Sequence, residues 1–197
     1  MKRIRTHVNP LSIYHRFEPL QVQTLFPQFS GTIDCEIGFG KGVFLRHWAQ
    51  AHPQHLVCGI EVRKPMVTHL KTVTANDFDN VHLFHGNGQH FVEDAILDDS
   101  LDRLFIFHPD PWVKKRHKKR RVLTSGFLDV LALKLKASGK CYISTDVDFL
   151  WADMMETISA HAQFQLTNDD SFWNSHYQSH WSVFSELDQR PSFRVVI

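Results

Sequence analysis

The stretch Thr32-Ile33-Asp34-Cys35-Glu36-Ile37-Gly38-Phe39-Gly40-Lys41-Gly42-Val43 decides the fold. Its first half reads as a short strand and its glycine-rich second half as a tight turn. Val43 to Ala51 then reads as a helix with Phe44, Leu45 and Trp48 on one side. The alternation recurs along the chain. His55 to Ile60 is a second strand, and Pro65, suited to a first helical position, opens a helix to about Asn76. Val81 to Phe84 is a third strand, followed by a short helix near Phe91 to Leu97. Leu101 to Phe107, with its apolar end, reads as a buried central strand. Ser125 is placed to cap a helix carrying Phe127, Leu128, Leu131 and Leu135 that ends before Gly139. Lys140 to Ser144 is a fifth strand and Phe149 to about Ala162 a further helix. Parallel strands need crossovers and helices supply them, so five strand-then-helix units predict a parallel, doubly wound sheet. Phe164 to Thr167 and Phe193 to Ile197 are expected to add two strands joined by a polar loop, as an antiparallel edge.

A chain of 197 residues suits one domain, 1-197, with a lead-in over 1-31, an α/β core over 32-163 and a C-terminal edge with a loop over 164-197. Hydrophobic residues are 43% and charged residues 22%, and no run of some twenty apolar residues could cross a bilayer. The basic start, Met1 to His7, is not followed by an apolar h-region, so a cytoplasmic protein is expected. Cys35, Cys58 and Cys141 lie far apart in apolar runs and read as reduced, buried thiols rather than a disulfide or zinc framework. The 14 histidines form no metal-ligand pattern, and the i,i+4 pair His176 and His180 is too little to argue one, so no metal is expected.

The net charge of +1 hides an asymmetry. Lys114, Lys115, Arg116, Lys118, Lys119, Arg120 and Arg121 hold seven of the 22 basic residues, leaving fifteen against 21 acidic groups elsewhere. An acidic body with one dense basic segment suits a protein that grips a polyanion at one place.

In an open α/β sheet the ligand lies outside the carboxyl ends of the strands. The first strand delivers Glu36 and the turn Gly38 to Gly42. Val43 stands where a dinucleotide fingerprint needs its third glycine, so a nucleoside without a pyrophosphate fits better, and a nicotinamide-dependent dehydrogenase is the weakest reading. The second strand ends in Glu61, some twenty residues beyond the turn, where a ribose diol would be held. After the third comes Asn87, which either caps the next helix or reads a base edge. The fourth runs into His108-Pro109-Asp110-Pro111-Trp112 and the basic run, with the prolines holding the flanking backbone extended and Asp110 at the sheet's mouth. The fifth ends in Ser144-Thr145-Asp146.

Glu-x-Gly-x-Gly at Glu36 to Gly40, Gly-Ile-Glu-Val-Arg at Gly59 to Arg63, Pro-Asp-Pro-Trp-x-Lys-x-Arg-His-x-Lys-Arg-Arg at Pro109 to Arg121 and Ser-Thr-Asp at 144 to 146 resemble the tRNA (guanine-N7)-methyltransferase family over roughly residues 32 to 150. The resemblance implies a Rossmann-like, seven-stranded class I methyltransferase fold with a mostly parallel sheet and an antiparallel C-terminal strand. It implies S-adenosylmethionine as methyl donor and a variable-loop guanine of tRNA as acceptor, with no membrane and no obligatory protein partner; a homodimer stays open. Carried over by position, Glu36, Gly38, Gly40, Glu61, Asn87 and Asp110 would hold the donor, and Asp110 and Asp146 would be catalytic. Lys114, Arg116, His117, Lys118, Arg120, Arg121, Asp146 and Ser182 would meet the tRNA. The chain departs from the pattern with Asn87 for aspartate, His108 for phenylalanine, and Ser182-Val183-Phe184-Ser185 for the C-terminal Thr-x-Phe/Tyr-Glu, with Glu186 one place late. The alternatives are a methyltransferase of the same fold acting on another RNA or a small molecule, and a non-catalytic RNA-binding relative.

Overall fold

A computed structural model describes residues 8–197, so the basic start at Met1 to His7 lies outside the described residues. In chain order the elements are α1 (Val22–Leu25), β1 (Ile33–Ile37), α2 (Val43–Ala51), β2 (Leu56–Glu61), α3 (Lys64–Thr74), β3 (Val81–His85), α4 (Gly88–Ala95), β4 (Leu101–Phe107), α5 (Ser125–Lys134), β5 (Leu135–Thr145), α6 (Asp148–Ser159), α7 (Asp170–Ser175), α8 (His180–Leu187) and β6 (Phe193–Val196). The strands form one sheet in the order β3-β2-β1-β4-β5-β6, parallel throughout except for antiparallel β6.

Side-chain alternation sorts the core to the two faces of this sheet. Leu104, Ile106, Cys141 and Ile143 pack with apolar residues of α4, α5 and α6. Phe105, Phe107 and Tyr142 turn the other way and pack with α2, α3 and α7. All three cysteines are free and fully buried, as their apolar settings predict.

The C-terminal third differs from the sequence reading. Six strands form among the described residues, not seven: Thr167 makes one isolated bridge to Val196, with reciprocal backbone hydrogen bonds of 2.8 and 3.2 Å. Pairing stops there because Asp169, two residues on, caps α7 by accepting from the Phe172 N–H at 3.0 Å. The segment expected as a polar loop contains α7 and α8. Its apolar residues cover the second face of the sheet: the Phe172 ring lies 4.1 Å from that of Tyr142 and stacks on Phe105 at 5.7 Å. Burying one such ring is worth about 1.5–3 kcal/mol, enough to hold a short helix that would not persist alone. His176 ends α7 and His180 opens α8, so their spacing does not put them on one helix.

Two boundaries also move. Thr124, not Ser125, caps α5, its hydroxyl accepting from the Phe127 N–H at 3.2 Å. β5 begins at Leu135 rather than Lys140, because Leu101 pairs with Leu135 while Arg103 pairs with Lys140 and the intervening residues bulge out. Gly139 permits this: a Cβ there would lie 2.8 Å from the Leu101 carbonyl oxygen.

Gly59 in β2 is equally constrained, since a Cβ would meet Leu45 at 2.5 Å, Phe39 at 2.8 Å and Leu83 at 2.9 Å. Gly59→Ala is therefore expected to lower the unfolding free energy by about 1–3 kcal/mol, read as a lower urea midpoint at unchanged slope.

Candidate active site

The ends of β1 to β4 open on a cavity of about 500 Å³. This is the range of sites that enclose a ligand of nucleoside size. Gly38, Gly40 and Gly42 all have positive φ, of 81°, 56° and 67°. At Gly42 the requirement is double, because a Cβ would also lie 2.3 Å from Leu70. The turn thus brings backbone to the cavity where side chains would fill it.

Glu36 and Glu61 stand at this wall and differ sharply in their partners. The Glu36 side chain is buried and its Oε2 has no hydrogen-bond partner. Burial, with the charge of Glu61 adding, pushes its pKa up to about 8. Glu61 accepts from the Gly40 N–H at 3.0 Å and from the Arg63 N–H, Nε and Nη2 at 3.0, 3.0 and 2.8 Å. Those four donors match the four lone-pair sites of a carboxylate. Arg63 closes the Gly-Ile-Glu-Val-Arg motif, and nothing in the sequence assigns it a role; the structure puts it in the cavity wall beside Glu61.

Asn87 lines the cavity and caps α4. Its carbonyl accepts from the Gln89 N–H at 2.9 Å, and its amide donates to the Pro10 carbonyl at 3.4 Å. Asp110 lines the cavity together with Trp112 and Arg120. His108 does not adopt the extended backbone expected before Pro109: its φ is +46°. Its backbone N–H donates to the Ser144 carbonyl at 2.8 Å and both ring nitrogens are engaged, which holds it there.

Outside the basic run, Asp146 and Ser182 are the expected site residues that lie off this wall. Asp146 is buried behind it, accepting from Ser185 Oγ at 3.0 Å and Arg190 Nη1 at 3.1 Å and lying 3.2 Å from His108 Nδ1. Ser182 is buried in a capping box with Ser179, its hydroxyl donating to the Ser179 carbonyl and accepting from the Ser179 N–H, both at 2.9 Å. From the same segment it is Ser179, His180 and Trp181 that line the cavity. Sequence reasoning missed them because residues 168–192 read as loop; the one signal was Ser179 itself, a residue type suited to an N-cap.

The basic run forms a 3-10 turn over Lys115–Arg120. Lys114, Lys115, Arg116 and Lys119 are exposed. Desolvation and the charges of Arg120, Arg116 and Lys114 pull His117 below the ordinary histidine value. Arg120 lies over the Trp112 ring, 4.9 Å from its centroid. Lys118 and Arg121 differ from the rest, since they pair with Asp153 of α6 at 2.5 and 2.7 Å. Burial would raise the Asp153 carboxyl, but these two cations outweigh it and hold it below the usual aspartate value. Arg121 is buried and also donates to the Pro111 and Trp112 carbonyls at 3.0 and 3.4 Å, so its geometry is that of an anchor. Arg121→Ala is expected to cost about 1–3 kcal/mol of stability, because it leaves the Pro111 and Trp112 carbonyls without their donors and Asp153 with Lys118 alone. Lys119→Ala is expected to change it by less than about 0.5 kcal/mol; thermal unfolding of both checks this.

A family model described as a putative methyltransferase matches residues 30–193. Among curated proteins, the chain is 40% identical over 157 residues to the tRNA (guanine-N(7)-)-methyltransferase of Nitrosococcus oceani, covering 77% of this chain and 64% of that protein. It is 34% identical over 158 residues to the protein of the same name from Shewanella frigidimarina, covering 80% and 66%. The chain thus spans slightly less than two thirds of these relatives' length. Among solved structures, an antibiotic-related methyltransferase superposes with a TM-score of 0.63 at 15% identity, over 90% of this chain and 92% of its own. The aminoglycoside resistance methyltransferase NpmB1 gives 0.59 at 13%, over 91% and 93%. At such identities the likeness is of fold, that of class I methyltransferases, here with six strands. With the model matched across the glycine turn, the Asp110 segment and the basic turn alike, the chain belongs to the putative methyltransferase family.

Proposed function

We propose that this chain transfers a methyl group from S-adenosylmethionine to N7 of a guanine in tRNA, the reaction for which its curated relatives are named. The observation that carries the reading is a continuity: Asp110, Trp112 and Arg120 line the cavity, and the exposed cations lie between Trp112 and Arg120 on one short segment. A nucleoside-sized cavity and a polyanion grip joined in this way suit a donor and a nucleic-acid acceptor that must meet.

The wall fits the donor. The unpartnered Glu36 Oε2 suits an ammonium group, and the positive-φ glycines leave room for the amino-acid end. Glu61 would take a ribose diol by giving up the Arg63 guanidinium, since its four acceptor sites are filled. Asn87 lines the same cavity and would face the adenine. S-adenosylmethionine, when bound, supplies an electrophilic sulfonium methyl.

The residues of this chain have a limited task, because the N7 lone pair of guanine is free at neutral pH and no general base is needed. Their work is alignment, which supplies ~7–11 kcal/mol in favourable cases. Asp110 would accept from N1–H or the exocyclic amine and stabilise the positive charge the purine gains. Asp146, behind His108, would act by holding the wall. The exposed cations Lys114, Lys115, Arg116 and Lys119 would meet phosphates, with the acceptor base leaving its stack to reach the cavity.

Incubation with labelled S-adenosylmethionine and unmodified tRNA, followed by nucleoside analysis, is expected to yield 7-methylguanosine. Asp110→Ala is expected to lower kcat by about 10²–10³-fold; donor binding with no methylated nucleoside would overturn the reading. A second test uses Glu36. With its pKa at about 8 the group is mostly protonated at pH 7 in the free protein. An ammonium bound against it favours the carboxylate, so binding of S-adenosylhomocysteine should release up to about one proton, and affinity should rise between about pH 6 and 8. Calorimetry in buffers of differing ionisation enthalpy reads that release, and Glu36→Gln should abolish it.

A further inference from the structure

We propose that His108 is a positioning residue which, through Asp146 and Tyr177, fixes the α7–α8 segment as the acceptor-side wall of the cavity. The proposal rests on the methyl-transfer reading above.

Three separate parts of the chain meet at this imidazole, and a fourth joins through Asp146. His108 follows β4, and its side chain is 2% exposed. Its Nδ1 lies 3.2 Å from Asp146 Oδ1, just beyond β5, and its Nε2 lies 2.8 Å from Tyr177 Oη, between α7 and α8. Asp146, its side chain 1% exposed, reaches onward through Oδ2 to Ser185 of α8 and to Arg190 beyond that helix. The Tyr177 hydroxyl is also 2.8 Å from Ser144 Oγ at the end of β5, and the Arg194 guanidinium sits 4.9 Å from the Tyr177 ring centroid.

The Nδ1–H of His108 donates to the Asp146 carboxylate, and Nε2 and the hydroxyls of Tyr177 and Ser144 each find a partner within the set; the proton positions are assigned from the partners. A buried network with each member satisfied behaves as a rigid block. The left-handed φ of His108, directly before a proline, is the kind of strain that persists only where surroundings over-determine the backbone. The block fixes what it carries: Ser179, His180 and Trp181 line the cavity along with His108, Pro109 and Asp110. A phenylalanine at 108 would fill the space and remove both hydrogen bonds. The wall would stand, but without a fixed position against the base.

The test compares His108→Phe, His108→Asn and Tyr177→Phe in the full chain, reading tRNA methylation and, separately, S-adenosylhomocysteine affinity. His108→Phe is expected to lower kcat/KM for tRNA by about tenfold or more while the affinity changes by less than about threefold. His108→Asn, whose amide can still donate toward Asp146, should recover most of the loss, and Tyr177→Phe should show a smaller loss of the same kind. Transfer by His108→Phe equal to wild type overturns the proposal, as does a parallel loss of transfer and donor affinity. Should His108→Phe fail to fold, the same two measurements on Tyr177→Phe decide in the same way. Wild-type protein that methylates no tRNA overturns the functional reading and this inference with it; wild-type transfer with an indifferent His108→Phe overturns the inference alone.

Discussion

Both edges of β1 are occupied inside the sheet, by β2 on one side and β4 on the other, each in parallel register. The chain must therefore leave β1 and β4 in opposite directions, one toward β2 and the other toward β5. The loops part, and a crevice opens where the strand order reverses. The cavity lies there, lined by the turn Gly38 to Lys41 after β1 and by His108 to Asp110 and Trp112 after β4. The conformational demands on both loops follow: glycines at positive φ on one side, His108 and Trp112 at φ +46° and +44° on the other.

The same strand shows how a buried carboxylate can serve either stability or function. Asp34 and Glu36 are two residues apart and share a face of the sheet. Asp34, fully buried, accepts from Trp48 Nε1 at 2.7 Å and Arg103 Nη1 at 3.1 Å, and lies 2.8 Å from His55 Nδ1. Glu36 keeps an unpartnered oxygen and a raised pKa. Burying an acid without a partner is costly, and a fold retains that cost where a ligand removes it. The contrast is between the amino end of β1, where partners complete the packing, and its carboxyl end, where a space is left.

The doubly wound core was legible because its signals are local: apolar runs of strand length, glycine turns and amphipathic stretches in alternation. The lining of the cavity was legible as far as strand ends deliver residues, which covers Glu36, Glu61, Asn87 and Asp110. What was not legible depends on distant partners. Nothing near Arg121 announces that Asp153, on α6, takes its charge, and nothing near Asp146 announces Arg190. Trp181 escaped because α7 and α8 are short and lack the long period that marks a helix. α7 forms because Phe105, Phe107 and Tyr142 leave an aromatic face uncovered, a demand visible only once the sheet is assembled.

Arg121 shows what the basic segment gains by giving up charge. An ion pair with Asp153 removes a cation from the surface, which weakens the attraction for a polyanion. In exchange, hydrogen bonds to the Pro111 and Trp112 carbonyls tie the end of the basic turn to the cavity wall, and the Arg120 guanidinium over the Trp112 ring ties it again one residue earlier. Exposed lysines on a loose loop would bind phosphates without fixing any base relative to Asp110. Anchored at its far end, the turn would, in the proposed reaction, transmit the position of a bound backbone to the wall of the cavity, and it would meet phosphates already ordered, with less conformational entropy to lose on binding.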